Sequence, residues 1–200
     1  MTNAIQTVDQ ALLDALAKRG FEPLHARTRA EARDLVLGLL PEGALVAHGS
    51  SATLQEIGVI DALQGSSRLR YGNAEWLSVP DPAERAAARG RISVGADIFL
   101  GGVQAVTRTG QVVGADQGGS RQAFYTFGPR KVIWVAGANK VVNSLDEAIS
   151  RVYEVALPLE DARAKSIGWG GSAVNKLVIY EADPVPDRVT IVLVDESLGF

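Results

Sequence analysis

Short apolar runs of strand length recur along this chain, separated by longer mixed segments that open on helix-capping signals. The runs are ALVA (44–47), DIFL (97–100), VQAVT (103–107), QVVGA (111–115), KVIWVA (131–136), LVIYE (177–181) and VTIVLV (189–194). Several are apolar on both faces, as expected of strands sandwiched between helix layers. TRAE (Thr28 to Glu31) and SLDE (Ser144 to Glu147) fit the capping box, in which the hydroxyl and the carboxylate each take an orphan backbone N–H. DPAE (Asp81 to Glu84) puts Pro82 at a first helical position, where its missing donor costs nothing. These signals predict helices over 6–19 (ended by Gly20), 29–39 (ended by Pro41), 53–63 (ended near Gly65), 82–94 and 145–156. TRTGQVV, a Thr-Gly turn between alternating runs, predicts an antiparallel hairpin. The expected fold is α/β, a mostly parallel sheet flanked by helices with that hairpin added. No repeat, low-complexity tract or linker divides the sequence, so residues 1–200 read as one domain, with 1–27 as an N-terminal helical extension. Segment 157–175, ending IGWGGSAVN, is the least regular part and is expected to be a mobile loop.

Composition narrows the chemistry. Two hundred residues suffice for one substantial core, and 46% hydrophobic with 22% charged residues is ordinary for a globular chain. The net charge is −3, and basic residues are scattered, with only Arg130-Lys131 and the Arg68–Arg70 region loosely grouped, so no nucleic-acid partner is expected. There are no cysteines. That excludes disulfides, thiolate nucleophiles, cysteine-ligated zinc and iron–sulfur clusters on this chain. With only His25 and His48, a His-rich metal site is not expected either, so no metal and no cofactor is assigned. No stretch reaches the length of a membrane span, and the N-terminus lacks signal-peptide character, so a cytoplasmic protein is the expectation.

In open α/β sheets, ligands bind at the carboxyl ends of strands, on the loops that lead into helices. Three segments qualify. In VAHGSSATLQEIG (46–58), a strand runs through His48, Gly49, Ser50 and Ser51 into a helix near Thr53, with Glu56 as a capping partner. The turn either presents N–H groups and hydroxyls to an anion or simply supplies an N-cap. His48 is an acid–base candidate or a structural histidine. In GADQGGSRQAF (114–124), a strand ends at Asp116, and Gly118, Gly119 and Ser120 lead to Arg121 and a short helix. Two adjacent glycines exceed what a cap requires, which favours a pocket over a solvated turn in which Asp116 is only a cap. In VAGANKVV (135–142), Asn139 and Lys140 follow a strand, and Lys140 is either a point charge for a phosphate or carboxylate or a solvated lysine. No Ser-His-Asp order, Walker loop or dinucleotide fingerprint occurs.

The order of these motifs resembles a known family. GADIFLGGVQAVTRTGQVVGADQGGSRQAFYTFGPRKVIWVAGANKVVNSLDEAISRV is similar to the central signature of the lactate-utilization (LUD) domain family, and the likeness extends through HGSSATLQEIG and VTIVLVDESLGF, over about residues 30–200. The resemblance implies a fold similar to ribose-5-phosphate isomerase, glucosamine-6-phosphate deaminase and the CoA transferases. It implies oxidation of L-lactate to pyruvate by a three-subunit bacterial system, whose redox centres belong to cysteine-rich iron–sulfur partner subunits and whose smallest subunit is a bare domain of this kind. Carried onto this sequence, the ligand-binding positions are Gly49, Ser50, Ser51, Thr53, Asp116, Gly118, Gly119, Ser120, Arg121, Asn139 and Lys140; no catalytic residue is assigned, and Asp116 and Lys140 are the acid–base candidates if the chain is an isomerase. Gln104 stands where the family usually has Asn, Arg108 and Thr109 replace its acidic residue, and the cysteine cluster of many stand-alone members is missing from LEDARAKSIGWGGSAVNK.

Two functions follow as expectations. One is a non-redox subunit of a lactate-oxidising system that binds a small anionic ligand. The other is an independent isomerase or transferase acting on a phosphorylated sugar or an acyl-CoA. A CoA transferase needs a nucleophilic Glu, and the three loops contain none but Glu56, which favours the first.

Overall fold

Capping and burial account for the order of elements in the structure, a computed structural model that describes residues 7–200. Asp9 accepts the Leu12 N–H at 3.0 Å and opens α1 (Gln10–Lys18), which lays Leu12 and Leu16 into the core. Next come β1 (Glu22–Ala26) and α2 (Arg29–Gly38), the latter capped by Thr28. Strand β2 (Leu45–His48) feeds the short helices α3 (Ala52–Glu56) and α4 (Val59–Gln64). They are followed by β3 (Arg70–Tyr71), α5 (Gly72–Leu77) and α6 (Pro82–Val94), with Pro82 in the first turn of α6 as its sequence requires. The chain continues through β4 (Ile98–Gly102), β5 (Ala105–Thr107), β6 (Val112–Asp116), α7 (Ser120–Thr126) and β7 (Lys131–Gly137). A 3₁₀ turn (Ala138–Lys140) and β8 (Val141–Val142) lead to α8 (Leu145–Arg151). A π-helical turn (Val152–Ala156) then joins α8 to α9 (Leu157–Ser166), before β9 (Lys176–Tyr180) and β10 (Val189–Val194).

The strands form two sheets. A six-stranded sheet has the order β1-β10-β7-β4-β2-β3, with every neighbouring pair parallel. A four-stranded sheet has the order β8-β5-β6-β9, antiparallel except for β5 against β8. The expected hairpin is β5–β6, with Ala105 opposite Val113.

Strand alternation divides the core in two. Val132, Trp134 and Ala136 of β7, with Val189, Ile191 and Leu193 of β10, face one apolar cluster shared with α1, α7 and the small sheet. Ile133 and Val135, with Val192 and Val194, face a second cluster against α2, α3 and α4. Trp134 is fully buried between Phe21, Tyr125 and Tyr180, with ring centroids 5.0–5.7 Å away. Ala105, Val113, Ala115, Val142, Ala148 and Val152 make a third cluster where α8 covers the outer face of the small sheet.

Several expectations need correction. The helix expected over 6–19 starts at Gln10, and its first expected residue lies outside the described residues. Segment 1–27 is not simply a helical extension, because β1 pairs with β10 from Glu22↔Thr190 to Ala26↔Val194 and forms the sheet edge. Expected helix 53–63 is two helices, broken at Gly58, whose φ of +73° no helix interior accommodates. Expected helix 145–156 is α8 plus the π-helical turn, and it runs on into α9, so more than half of the expected loop 157–175 is helical. Pro158, in the first turn of α9, has no N–H to give to the preceding helical turn, and the π-helical turn lies immediately before it.

Candidate functional site

The carboxyl ends of β2, β4 and β6, together with the turn after β7, surround one cavity of about 230 Å3. Ser50, Ser51 and Thr53 line it from the β2–α3 turn; Asp116, Gly118, Ser120 and Arg121 line it from the β6–α7 turn; Lys140 lines it from the end of the 3₁₀ turn. Three candidates support the wall from behind instead. Gly49 is where the Arg121 stem crosses, and a Cβ there would lie 2.4 Å from Arg121 Cγ. Gly119 packs on the Lys176 stem. Asn139 donates to Gly199 O at 3.1 Å and accepts Leu198 N–H at 3.0 Å, anchoring residues 198–199.

The β6–α7 turn is built around Asp116. One carboxylate oxygen accepts the N–H groups of Gly118 and Gly119, both at 3.0 Å. The other accepts the backbone N–H and the Nε–H of Arg121, both at 3.1 Å. Burial acts to raise the Asp116 pKa, but the Arg121 guanidinium and the Gly119 and Arg121 N–H groups outweigh it and hold the carboxyl below its ordinary value. Gly119, at φ +84°, is the residue that must be glycine, and it stands at the start of α7. Arg121 also donates to Ser50 O at 3.3 Å and to Ala115 O at 2.9 Å, which ties the first two turns together.

The third turn differs. Lys140 is not solvated: it is 2% exposed, and its Nζ donates to Thr53 Oγ1 at 2.8 Å, its sole hydrogen bond among the described residues. Burial above all, then the nearby Arg151 and Arg121 charges, push its pKa down to about 7, against the pull of Glu56. Glu56 is not a cap of its own helix; its carboxylate accepts the Gly199 N–H at 2.9 Å, and Ser51 caps α3 instead, accepting from Leu54 N–H.

Sequence reasoning missed the remaining cations. Arg89, in the middle of α6, lines the cavity half-buried, donates to Ser120 Oγ at 2.9 Å, and is in no ion pair among the described residues. Its guanidinium lies 5.5 Å from the centre of the Trp76 ring. Burial is the main influence lowering its pKa; the Asp116 charge opposes this and the Arg121 charge adds to it. Nothing in AERAAARGR marks Arg89 among its neighbours. From α9 come Glu160, held by Arg163 at 2.6 and 2.7 Å, and beyond the helix Trp169, whose ring lies 5.4 Å from the Arg163 guanidinium. The glycine-flanked Trp169 in GWGG was the available signal.

His48 belongs to an adjoining cavity of about 530 Å3, which also contains Tyr71, Trp76, Arg89 and Trp169. Gly49 O, at 2.8 Å from Nδ1, can only accept, so Nδ1 carries the proton and Nε2 accepts the Tyr71 hydroxyl at 2.7 Å. Burial, with Arg89 nearby and despite the Gly49 carbonyl, lowers the His48 pKa and keeps the ring neutral.

A family model described as the LUD domain matches residues 10–194, further toward the N-terminus than the motifs alone indicated. Among solved structures, the chain is similar to the crystal structure of a DUF162 family protein from Deinococcus radiodurans. The TM-score is 0.55 at 16% identity, covering 92% of this chain and 94% of that one, a likeness of fold. No curated protein matches the sequence. No helix among the described residues is long and apolar enough to cross a membrane.

Proposed function

Because this chain belongs to the LUD domain family, we propose that it is a lactate-utilization protein: a subunit without a redox group of its own, which holds a small monocarboxylate while cysteine-rich iron–sulfur partners carry the electrons. The observation that carries this reading is the pair Arg89 and Lys140. Both line the same cavity, and neither has a carboxylate partner among the described residues. Withdrawing a cation from water is costly, the Asp116 and Glu56 charges do not outweigh that burial here, and a bound anion would offset the rest. The cavity of about 230 Å3 has room for an acid of few carbons, and Ser50, Ser51, Arg89 and Trp169 also line the adjoining cavity of about 530 Å3. An acyl-CoA transferase also needs a free glutamate, and Glu160, in the lining, is engaged twice by Arg163.

Calorimetric titration of the full chain with L-lactate, pyruvate, ribose 5-phosphate and CoA tests the proposal. Binding of the two monocarboxylates, weakened at least tenfold in Arg89→Met, is the expected result. Binding of the sugar phosphate or CoA alone overturns it in favour of the isomerase or transferase reading.

A further inference from the structure

Lys140 has an environment unlike that of the other four lysines. Lys131 is paired with Glu22 at 3.0 Å and Lys165 with Asp161 at 2.6 Å; Lys18 and Lys176 are exposed. Lys140 is 2% exposed, and Thr53 Oγ1, its one hydrogen-bond acceptor among the described residues, is neutral and itself belongs to the cavity wall. The Gly199 backbone closes the other side: a Cβ there would lie 2.4 Å from Thr53 Oγ1 and 3.4 Å from Lys140 Nζ. The amine is thus fixed, desolvated and set in the wall of a cavity that Arg89 also lines.

We propose that Lys140 forms a reversible imine with the ketone of a 2-oxo acid held in this cavity, an inference that depends on the small-carboxylate reading above. A lysine becomes a nucleophile toward carbonyls when burial and neighbouring cations favour its neutral form. Both conditions hold here, from burial first and then from Arg151 and Arg121, with Glu56 opposing. The amine lone pair adds to the ketone carbon while one nitrogen proton passes to the carbonyl oxygen, giving a carbinolamine. Loss of that hydroxyl together with the second nitrogen proton releases one water and leaves the C=N bond. Pyruvate qualifies as a reactant; L-lactate, which has no ketone, occupies the same place without reacting.

The test is reductive trapping. The full chain is incubated with pyruvate and cyanoborohydride, then examined by intact mass and peptide mapping. The expected result is one reduced pyruvate adduct on the Lys140 peptide, at least tenfold above any other lysine. L-lactate should give none, and Lys140→Arg should abolish the adduct. Arg89→Met, which keeps the amine and replaces a half-buried side chain of the cavity wall, should slow labelling at Lys140 at least tenfold. Calorimetric binding of pyruvate to the wild type without an adduct, or equal labelling of wild type and Lys140→Arg, overturns the imine and leaves the small-carboxylate reading standing. Absence of both adduct and binding overturns the two together.

Discussion

Two parts of the cavity wall carry charge in opposite ways. In the β6–α7 turn, Asp116 and Arg121 satisfy each other and the surrounding backbone, so the turn is electrically closed. Elsewhere in the lining, Lys140 and Arg89 are each held by a single hydroxyl, from Thr53 and from Ser120 of that same turn, with no carboxylate in an ion pair among the described residues. The first arrangement builds the wall; the second leaves two cationic side chains in it without an ion pair among the described residues. A charged group near a cavity therefore indicates binding only after its existing partners have been counted.

Removing Asp116 should break this contrast most severely. Asp116→Ala strips a carboxylate whose side chain is 9% exposed from three N–H groups and a guanidinium. A loss of about 3 kcal/mol in unfolding free energy, measured by urea denaturation, is expected. Arg89→Met should invert the pattern. Carboxylate affinity in calorimetry should fall by about 1.5–3 kcal/mol, with stability changed by under about 1 kcal/mol.

Lys140 sharpens the comparison through pH. Its folded pKa of about 7 is below its ordinary 10.5, so between these values the unfolded chain holds a proton that the folded chain lacks. Its contribution to stability therefore rises with pH across that window, is complete above 10.5 and is lost as pH falls toward 7. Unfolding free energies of wild type and Lys140→Met from urea denaturation, compared from neutral to alkaline pH, should favour the variant by about 1–3 kcal/mol at the neutral end and converge upward. Binding of a carboxylate should weaken as pH rises through about 7, as the ammonium loses its charge. The smallest effect separates the two glycines. Gly119→Ala, at φ +84°, should cost about 1–2 kcal/mol, whereas Gly118→Ala, with open space around its Cβ position, should stay within about 0.5 kcal/mol in the same assay.

These differences explain what was legible in the sequence. The inner strands β4, β7 and β10 are apolar on both faces because both faces are buried, so their runs stand out within a residue or two of their ends. Helix α6 matches its expected span because its Asp-Pro start and Gly95 end are local signals. Strand β1, EPLHA, carries a proline and a half-exposed sequence at the sheet edge, and its pairing with β10, far along the chain, leaves no local mark. The three loops were legible because a strand–small-residue–helix junction is local. Arg89 was not, because its place in the cavity wall depends on α6 lying beside Ser120 and Trp76, a matter of tertiary contact alone. Lys140 was found by its place in the chain, while its burial came from Thr53 and Gly199.

The three tryptophans divide the optical signal of this protein between separate tasks. Trp134, sealed among aromatic rings, emits from an apolar setting and reports unfolding. Trp76 and Trp169, each against a guanidinium at the rim, emit from a wetter setting and are positioned to be quenched or shifted when a solute enters. A chain with no added dye thus carries one indole sealed in its core and two set in a cavity wall.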